Sequence, residues 1–245
     1  MKKILIGLCV VLATVILVSS VISASMIVPA SDKAIEHSPV ISAYGDLERV
    51  DFIHYVKPEN PGRPGKTDNC YKLMGVKWPN LPVSYVINSD NSQGLSTAFV
   101  TSAISTSAET WDDATSKELF NNAYSVDYSA QYGKYDNKNA IVFGSYSQNN
   151  VIAVTSVWYT RVGKQIVEFD MLFNNYYQWG DATSDSSLMD LQNIATHELG
   201  HAVGLSDIYS TSCTAVTMYG YSNNGDISKR SLETADILGL QKMYF

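Results

Sequence analysis

The sequence predicts one α/β domain in which a twisted mixed sheet of five strands packs with three long helices. Five segments rich in β-forming residues lie between residues 81 and 172. Helical spacing of apolar residues occurs between the first two of these segments and twice more after the last. The composition is that of a folded protein, because 45% of the 245 residues are hydrophobic and 17% are charged.

The strands are predicted from alternation and from their β-branched and aromatic residues. They are expected at residues 81–88, 125–130, 140–143, 151–159 and 165–172. The polar stretch 161–164 predicts a hairpin turn between the last two strands. A further short strand is expected upstream, at Val50–Val56.

The helices are predicted from apolar residues that recur every three or four positions. The first is expected over Gly94–Asp113. The second contains the histidine motif described below, with Ser186 or Ser187 as its cap and Asp190 in its first turn. The third is expected to open at Ser231 and to run nearly to the C-terminus.

The balance of charge limits the partners that this chain can have. It carries 17 basic and 24 acidic residues, a formal net charge of −7, and it has no basic run. Neutralising phosphates requires clustered Lys and Arg, so the sequence argues against nucleic-acid binding. The same deficit argues against adsorption to anionic lipid through charge.

The N-terminus is typical of an export signal. Two lysines precede an apolar run, Ile4–Val18, and small residues follow near Ala24. We therefore expect residues 1–25 to be a signal peptide and the protein to be secreted as a monomer. The alternative is an uncleaved membrane anchor, because the apolar stretch continues to Ile22 and nearly reaches spanning length.

Residues 26–69 form an extension between this signal and the main domain at 70–245. Its second part, 57–69, is rich in Pro and Gly and is predicted to be a linker or exposed loop. The part before it is too short to build a core of its own. The sequence leaves two interpretations, a short propeptide or an extension packed on the main domain.

The motif that carries chemistry is H-E-x-x-H at His197–His201. On a helix, positions i and i+4 share one face, so His197 and His201 can place two imidazoles on one metal ion. Glu198 points to the neighbouring side, where it can take a proton from a metal-activated water. Gly204 can adopt φ > 0 and turn the chain back towards the metal, which makes Asp207 the expected third ligand. Three protein ligands with one open position are the pattern of catalytic zinc.

Together with Met218 in the stretch Val216–Gly220, the string H-E-x-x-H-x-x-G-x-x-D resembles a metzincin peptidase with its Met-turn. The stretch before Met218 is most similar to a matrixin-type domain. The departure is Asp207, where matrixins carry His; Asp at this position resembles the snapalysin-type metzincins. The resemblance covers roughly residues 70–245 and implies a metzincin fold with an active-site helix and a Met-turn.

The resemblance implies a secreted zinc metalloendopeptidase with Glu198 as its general base. It also implies that 151–158 is an edge strand that pairs with extended peptide substrate, reading backbone rather than sequence. The residues after Met218 would form the wall of the specificity pocket, namely Tyr219, Gly220 and Tyr221. The alternative function is a zinc-binding, non-proteolytic surface protein, against which Glu198 argues, because a structural zinc site needs no base.

The cysteines allow two interpretations. An exported chain that loses Cys9 with its signal retains Cys70 and Cys213, which most simply form one disulfide. The resemblance raises a second interpretation, in which Cys70 caps the zinc and keeps the enzyme latent, as a prodomain cysteine does in many matrixins. The residues around Cys70 lack the Pro-Arg-Cys-Gly pattern of that switch, and this favours the disulfide.

One zinc ion per chain is expected. The remaining histidines, His37 and His54, both precede the linker, so a second histidine-rich zinc site cannot be assembled within 70–245. Calcium is a further expectation from acidic loops, although such residues are more often solvated turns. The acidic residues are Asp127, Asp136, Asp170, Asp181 and Asp185.

Overall fold

The structure, a computed structural model, describes residues 39–59 and 69–245. The predicted signal segment, Cys9 and His37 lie outside the described residues. Within the described ranges, no helix is both long enough and apolar enough to cross a membrane.

Ten strands and three helices occur in the described residues. The strands are β1 (Val40–Tyr44), β2 (Leu47–Val56), β3 (Val86–Asn88), β4 (Ser125–Val126), β5 (Ala140–Gly144), β6 (Val151–Thr160), β7 (Ile166–Asn174), β8 (Trp179–Gly180), β9 (Met189–Asp190) and β10 (Tyr221–Ser222). The helices are α1 (Thr97–Asp112), α2 (Leu191–Ala202) and α3 (Thr234–Tyr244).

The main sheet has the strand order β1-β2-β6-β7-β5-β3-β4, and β10 pairs with β2 outside this path. The mixed α/β fold is thereby confirmed, since β6 is antiparallel to β7 while β7, β5, β3 and β4 are parallel. The five predicted strands are β3 to β7 and form one block. The described part of the sheet has eight strands rather than five, because β1, β2 and β10 extend that block beyond β6.

Two helix starts differ from the prediction because other residues cap them. Helix α1 begins at Thr97, and the Ser96 side chain accepts a hydrogen bond from the Phe99 amide at 3.2 Å. Helix α3 begins three residues later than predicted. Glu233, not Ser231, is its cap, and the Asp236 carboxylate accepts from the Glu233 amide at 3.0 Å. Both arrangements satisfy amides that a helix start leaves without a partner.

The core lies between the sheet and helices α1 and α2. The Trp111 indole of α1 donates a hydrogen bond to the Thr196 carbonyl of α2 at 2.7 Å, which fixes the two helices against each other. A loop covers the opposite face of the sheet, where the amides of Asp136 and Asn137 donate to the buried Glu168 carboxylate. Strands β6 and β7 are therefore buried on both faces along almost their whole length.

A disulfide joins Cys70 to Cys213, whose Cα atoms are 5.4 Å apart. It links the start of the main domain to the short 3₁₀ turn Thr211–Cys213, which precedes Met218. Because both sulfur atoms are bonded to each other, Cys70 has no thiol with which to cap a metal ion in this structure.

Replacing both cysteines with serine is expected to lower the free energy of unfolding by about 2–4 kcal/mol, because the unfolded chain would lose a long covalent loop. Urea denaturation of Cys70→Ser/Cys213→Ser and of the parent protein measures this difference. Mass spectrometry of a non-reduced digest should recover the Cys70 and Cys213 peptides as one linked pair, and two free thiols would contradict the pairing.

Candidate metal centre

Helix α2 holds the two motif histidines in the interior. It begins at Leu191, and its cap is Asp190, whose Oδ1 accepts from the Asn193 amide at 2.8 Å. The predicted caps, Ser186 and Ser187, lie too far upstream and belong to the preceding turn. The helix therefore begins later than predicted, and almost all of it is buried, including both histidines.

Each histidine is oriented by a backbone carbonyl. The Nδ1 atom of His197 lies 2.7 Å from the Thr217 oxygen, and that of His201 lies 2.9 Å from the Leu205 oxygen. A carbonyl can only accept, so both Nδ1 atoms carry the proton and both Nε2 atoms carry a lone pair. A hydrogen bond from the ring nitrogen that does not bind the metal fixes the tautomer of a metal-binding histidine.

The chain turns back to the helix at Gly204, as the sequence predicted. Gly204 has φ +100°, and a Cβ atom there would lie 2.5 Å from the Val76 oxygen, so only glycine fits. The turn brings Asp207 Oδ1 within 3.2 Å of His197 Nε2 and 3.4 Å of His201 Nε2. The structure therefore places the three predicted ligands together.

The three groups fit a tetrahedral zinc ion. At the usual zinc–nitrogen and zinc–oxygen distances, neighbouring ligands of a tetrahedron lie about 3.3 Å apart, close to the two separations from Asp207. Although they are near each other, His197 Nε2 and Asp207 Oδ1 have no hydrogen bond of acceptable geometry, and both are buried. Buried polar atoms without partners are costly, and a shared cation would satisfy them.

The electrostatics of His197 and Asp207 favour the forms that bind a metal ion. Burial and the nearby Lys229 lower the pKa of His197 to about 3, so its imidazole is neutral. Burial opposes ionisation of Asp207, but His201 and His197 outweigh it and lower the pKa of this carboxyl. These two residues thus offer neutral imidazole nitrogen and carboxylate oxygen, the donors that zinc takes. Burial opposes protonation of His201, but the negative charges of Asp207 and Glu198 outweigh it and raise the pKa of its imidazole.

Met218 lies under the cluster, against α2. A Cβ atom on Gly200, between the two histidines, would lie 2.3 Å from the Met218 sulfur. The turn that carries Met218 is held from α3, because the Asp236 carboxylate accepts from the amides of Thr217 and Met218 at 2.8 and 3.2 Å. Gly200 is therefore required for close contact between the helix and this turn.

The Glu198 carboxylate lies beside His197 and points towards strands β6 and β2. Its Oε2 accepts a hydrogen bond from Thr155 Oγ1 at 2.6 Å, and its Oε1 lies 3.0 Å from His54 Nδ1. Burial raises the pKa of Glu198 to about 7. A buried carboxylate that titrates near neutral pH is suited to accept and return a proton.

Three residues beside the motif were not predicted to belong to the site: Thr155, His54 and Lys229. The His54 ring lies 4.0 Å from that of His197, and Lys229 Nζ lies 3.3 Å from His54 Nε2. Lys229 Nζ also donates to the Tyr219 oxygen. The alternation in β2 could have put His54 on a buried face, but no local signal says which strand pairs with β2.

The expected pocket residues follow Met218 directly. Tyr219 and Tyr221 are buried with their rings 5.7 Å apart, and the Tyr209 ring covers Gly220 so closely that a Cβ atom would clash. Tyr221 also pairs in parallel with Tyr55 of β2. The structure therefore has an aromatic wall here, and part of it contacts the upstream strand.

The family model described as Matrixin matches residues 77–245. The chain belongs to the matrixin family. Matrixins are zinc metallopeptidases, enzymes that hydrolyse peptide or protein substrates, and the match includes the histidine motif, Asp207 and Met218. Among the curated proteins, none matches the chain.

The matrixin match begins after β1 and β2 and contains all five strands of the block β4-β3-β5-β7-β6. The family therefore accounts for the sheet, the zinc helix and the Met-turn. It does not account for the strand that carries His54.

The five acidic residues considered for calcium do not converge. Within the described ranges, no set of side chains close enough to share a metal ion contains three of these residues. Two are paired with cations, since Asp127 accepts from Lys138 Nζ at 2.8 Å and Asp181 accepts from Arg230 at 2.6 Å. Asp170 accepts from backbone amides, including that of Gly133. The structure gives no support to a calcium site built from these residues.

Asp207→Ala is expected to weaken zinc binding by more than about tenfold, since even an outer-shell partner of a metal ligand contributes about 10–100-fold. Zinc content after dialysis, together with competition against a chromogenic chelator, measures the effect. Asp90→Ala, at an exposed position, is the matched control. Equal zinc affinity in the Asp207 variant and the parent would show that Asp207 is not a ligand.

Proposed function

We propose that this matrixin is a secreted zinc endopeptidase in which Glu198 is the general base. The observation that carries the proposal is the position of the buried Glu198 carboxylate, one residue from His197 and held by Thr155. A purely structural zinc site would need the three ligands but not this carboxylate. The alternative of a non-proteolytic zinc protein therefore leaves Glu198 unexplained.

His197, His201 and Asp207 would hold the metal. A zinc ion bound there supplies a Lewis acid that makes water a better nucleophile near neutral pH and polarises the scissile carbonyl. Compared with the three imidazoles of other matrixins, the Asp207 carboxylate adds one negative charge. We therefore expect weaker Lewis acidity than an all-histidine site provides.

The chain's own residues handle the proton. The Glu198 carboxylate accepts it from the attacking water and then gives it to the nitrogen of the leaving amine. Thr155 Oγ1 donates a hydrogen bond to Oε2 and fixes the carboxylate, so Oε1 is the oxygen that would accept the proton. Substrate is expected to lie in extended form along β6, where backbone pairing binds any unfolded segment.

Glu198→Gln is expected to retain zinc but to lower the rate of hydrolysis by about 10²–10⁴-fold, because the amide cannot accept the proton. Casein hydrolysis, with and without chelator, and zinc content are the measurements. The exposed Glu109→Gln is the control. Full activity in a zinc-loaded Glu198→Gln protein would refute the mechanism.

Cleavage is expected on the N-terminal side of bulky apolar residues such as Leu, Phe or Tyr. The reason is the aromatic wall of Tyr219 and Tyr221 beyond the metal ligands, which offers apolar surface to the side chain that follows the scissile bond. A cleavage-site profile on a denatured protein mixture tests this directly. A preference for charged residues at that position would contradict the pocket assignment.

A further inference from the structure

The strand expected to receive substrate is already paired. Strand β2 lies antiparallel to β6, from Leu47 opposite Thr160 to Tyr55 opposite Val151. On its other side, β1 pairs with the first half of β2, Leu47–Asp51, and β10 pairs with Tyr55 and Val56. The prediction that 151–158 is a free edge is therefore wrong for the chain as it folds, because an upstream segment covers this edge.

Strand β2 is an addition to the family's sheet. The block β4-β3-β5-β7-β6 lies entirely within the matched residues 77–245, whereas Leu47–Val56 precedes them. The added strand lies between β6 and β10, and β10 belongs to the stretch after Met218 that is expected to wall the substrate pocket. It thus occupies the place that an extended peptide would need.

The alternation of β2 directs two rings at the metal ligands. The Phe52 ring stacks on that of His201 with centroids 4.1 Å apart and planes 8° apart. Two residues further, the His54 ring packs on His197 at 4.0 Å. Phe52 and His54 are each 1% exposed, so this face of the site is closed to solvent.

His54 also forms a hydrogen bond with Glu198, the proposed general base. A neutral His54 that donates from Nδ1 to Glu198 Oε1 can accept at Nε2 from Lys229 Nζ, and the distances of 3.0 and 3.3 Å agree with this tautomer. Since Thr155 donates to Oε2, each oxygen of the Glu198 carboxylate already accepts one hydrogen bond. The attacking water would have to compete with the His54 imidazole for a hydrogen bond to Oε1.

We propose that residues 47–56 are an intrachain inhibitor that binds in the place of substrate and engages Glu198 through His54. While this strand remains paired with β6 it excludes substrate, so the parent hydrolyses peptide only in the small fraction of molecules in which the strand has left β6. The inference rests on the proposed peptidase function. It differs from inhibition by a cysteine, because among the described residues both Cys70 and Cys213 are consumed by their mutual disulfide.

The first experiment measures a gain of activity, which structural damage would not produce. In the zinc-loaded full chain, His54→Ala removes the contacts with Glu198 and His197, so β2 should leave β6 more often. The initial rate on a quenched fluorescent peptide should therefore rise by tenfold or more. Ile53→Ala removes the neighbouring side chain on the opposite face of β2 and should leave the rate unchanged. Adding Glu198→Gln to the His54 variant should abolish the gain, which assigns it to this site.

The second experiment does not depend on hydrolysis. A recognition sequence for a site-specific protease is inserted after the exposed Glu59, and the zinc-loaded full chain is cut there. A fluorescent peptide of residues 47–56 should then exchange into the nicked complex, as measured by anisotropy and by release of the upstream fragment. The same peptide with Ala at position 54 should exchange at least tenfold less well.

The outcomes separate the two proposals. Peptide exchange that depends on His54, with no hydrolysis in any variant, would support the inhibitor and refute the peptidase. Full activity in the uncut parent, equal to that of a folded His54→Ala protein, would refute the inhibitor and leave the peptidase standing. If His54→Ala does not fold, the nicked chain decides: no exchange and no rise in rate would make β2 a permanent strand and overturn the inference.

Discussion

The centre of this protein depends on three polar groups that the fold removes from water and aims at one point. The Nε2 atoms of His197 and His201 and the carboxylate of Asp207 are buried, and two of these three groups have a ligand atom without a hydrogen bond. Leaving such atoms unpaired costs free energy, so the arrangement is stable only with a cation or at the expense of the rest of the fold. The packing around these three groups holds them in this arrangement.

Each neighbouring element contributes one constraint to the cluster. The loop after α2 and the turn before Met218 supply the carbonyls that orient the two histidines. Asp236 of α3 holds the Met-turn through two amides, and Trp111 of α1 fixes α2 through the Thr196 carbonyl. The disulfide joins the start of the domain to the loop between Asp207 and Met218. The three helices therefore act together on a single site.

The same close packing makes the site sensitive to what lies along β6. Thr155 of β6 holds one oxygen of Glu198, so the strand that would bind substrate also positions the base. Strand β2 contacts the same carboxylate, because its pairing with β6 brings His54 to the other oxygen of Glu198. One strand position thus determines both access to the cleft and the hydrogen bonding of the base.

The sequence by itself determined the features that depend on local spacing. An i, i+4 pair on a helix, a glycine that can adopt φ > 0 and an aspartate three residues later predict His197, His201 and Asp207 as a cluster, and the structure places them together. Alternation likewise predicted a strand near Val50–Val56. Only the tertiary structure decided the partner of that strand, because its pairing with β6 joins residues about a hundred positions apart and no local pattern records such a contact. For the same reason His54, Thr155 and Lys229 could not be assigned to the site from sequence: each reaches Glu198 or its neighbours through a long-range contact of the folded chain.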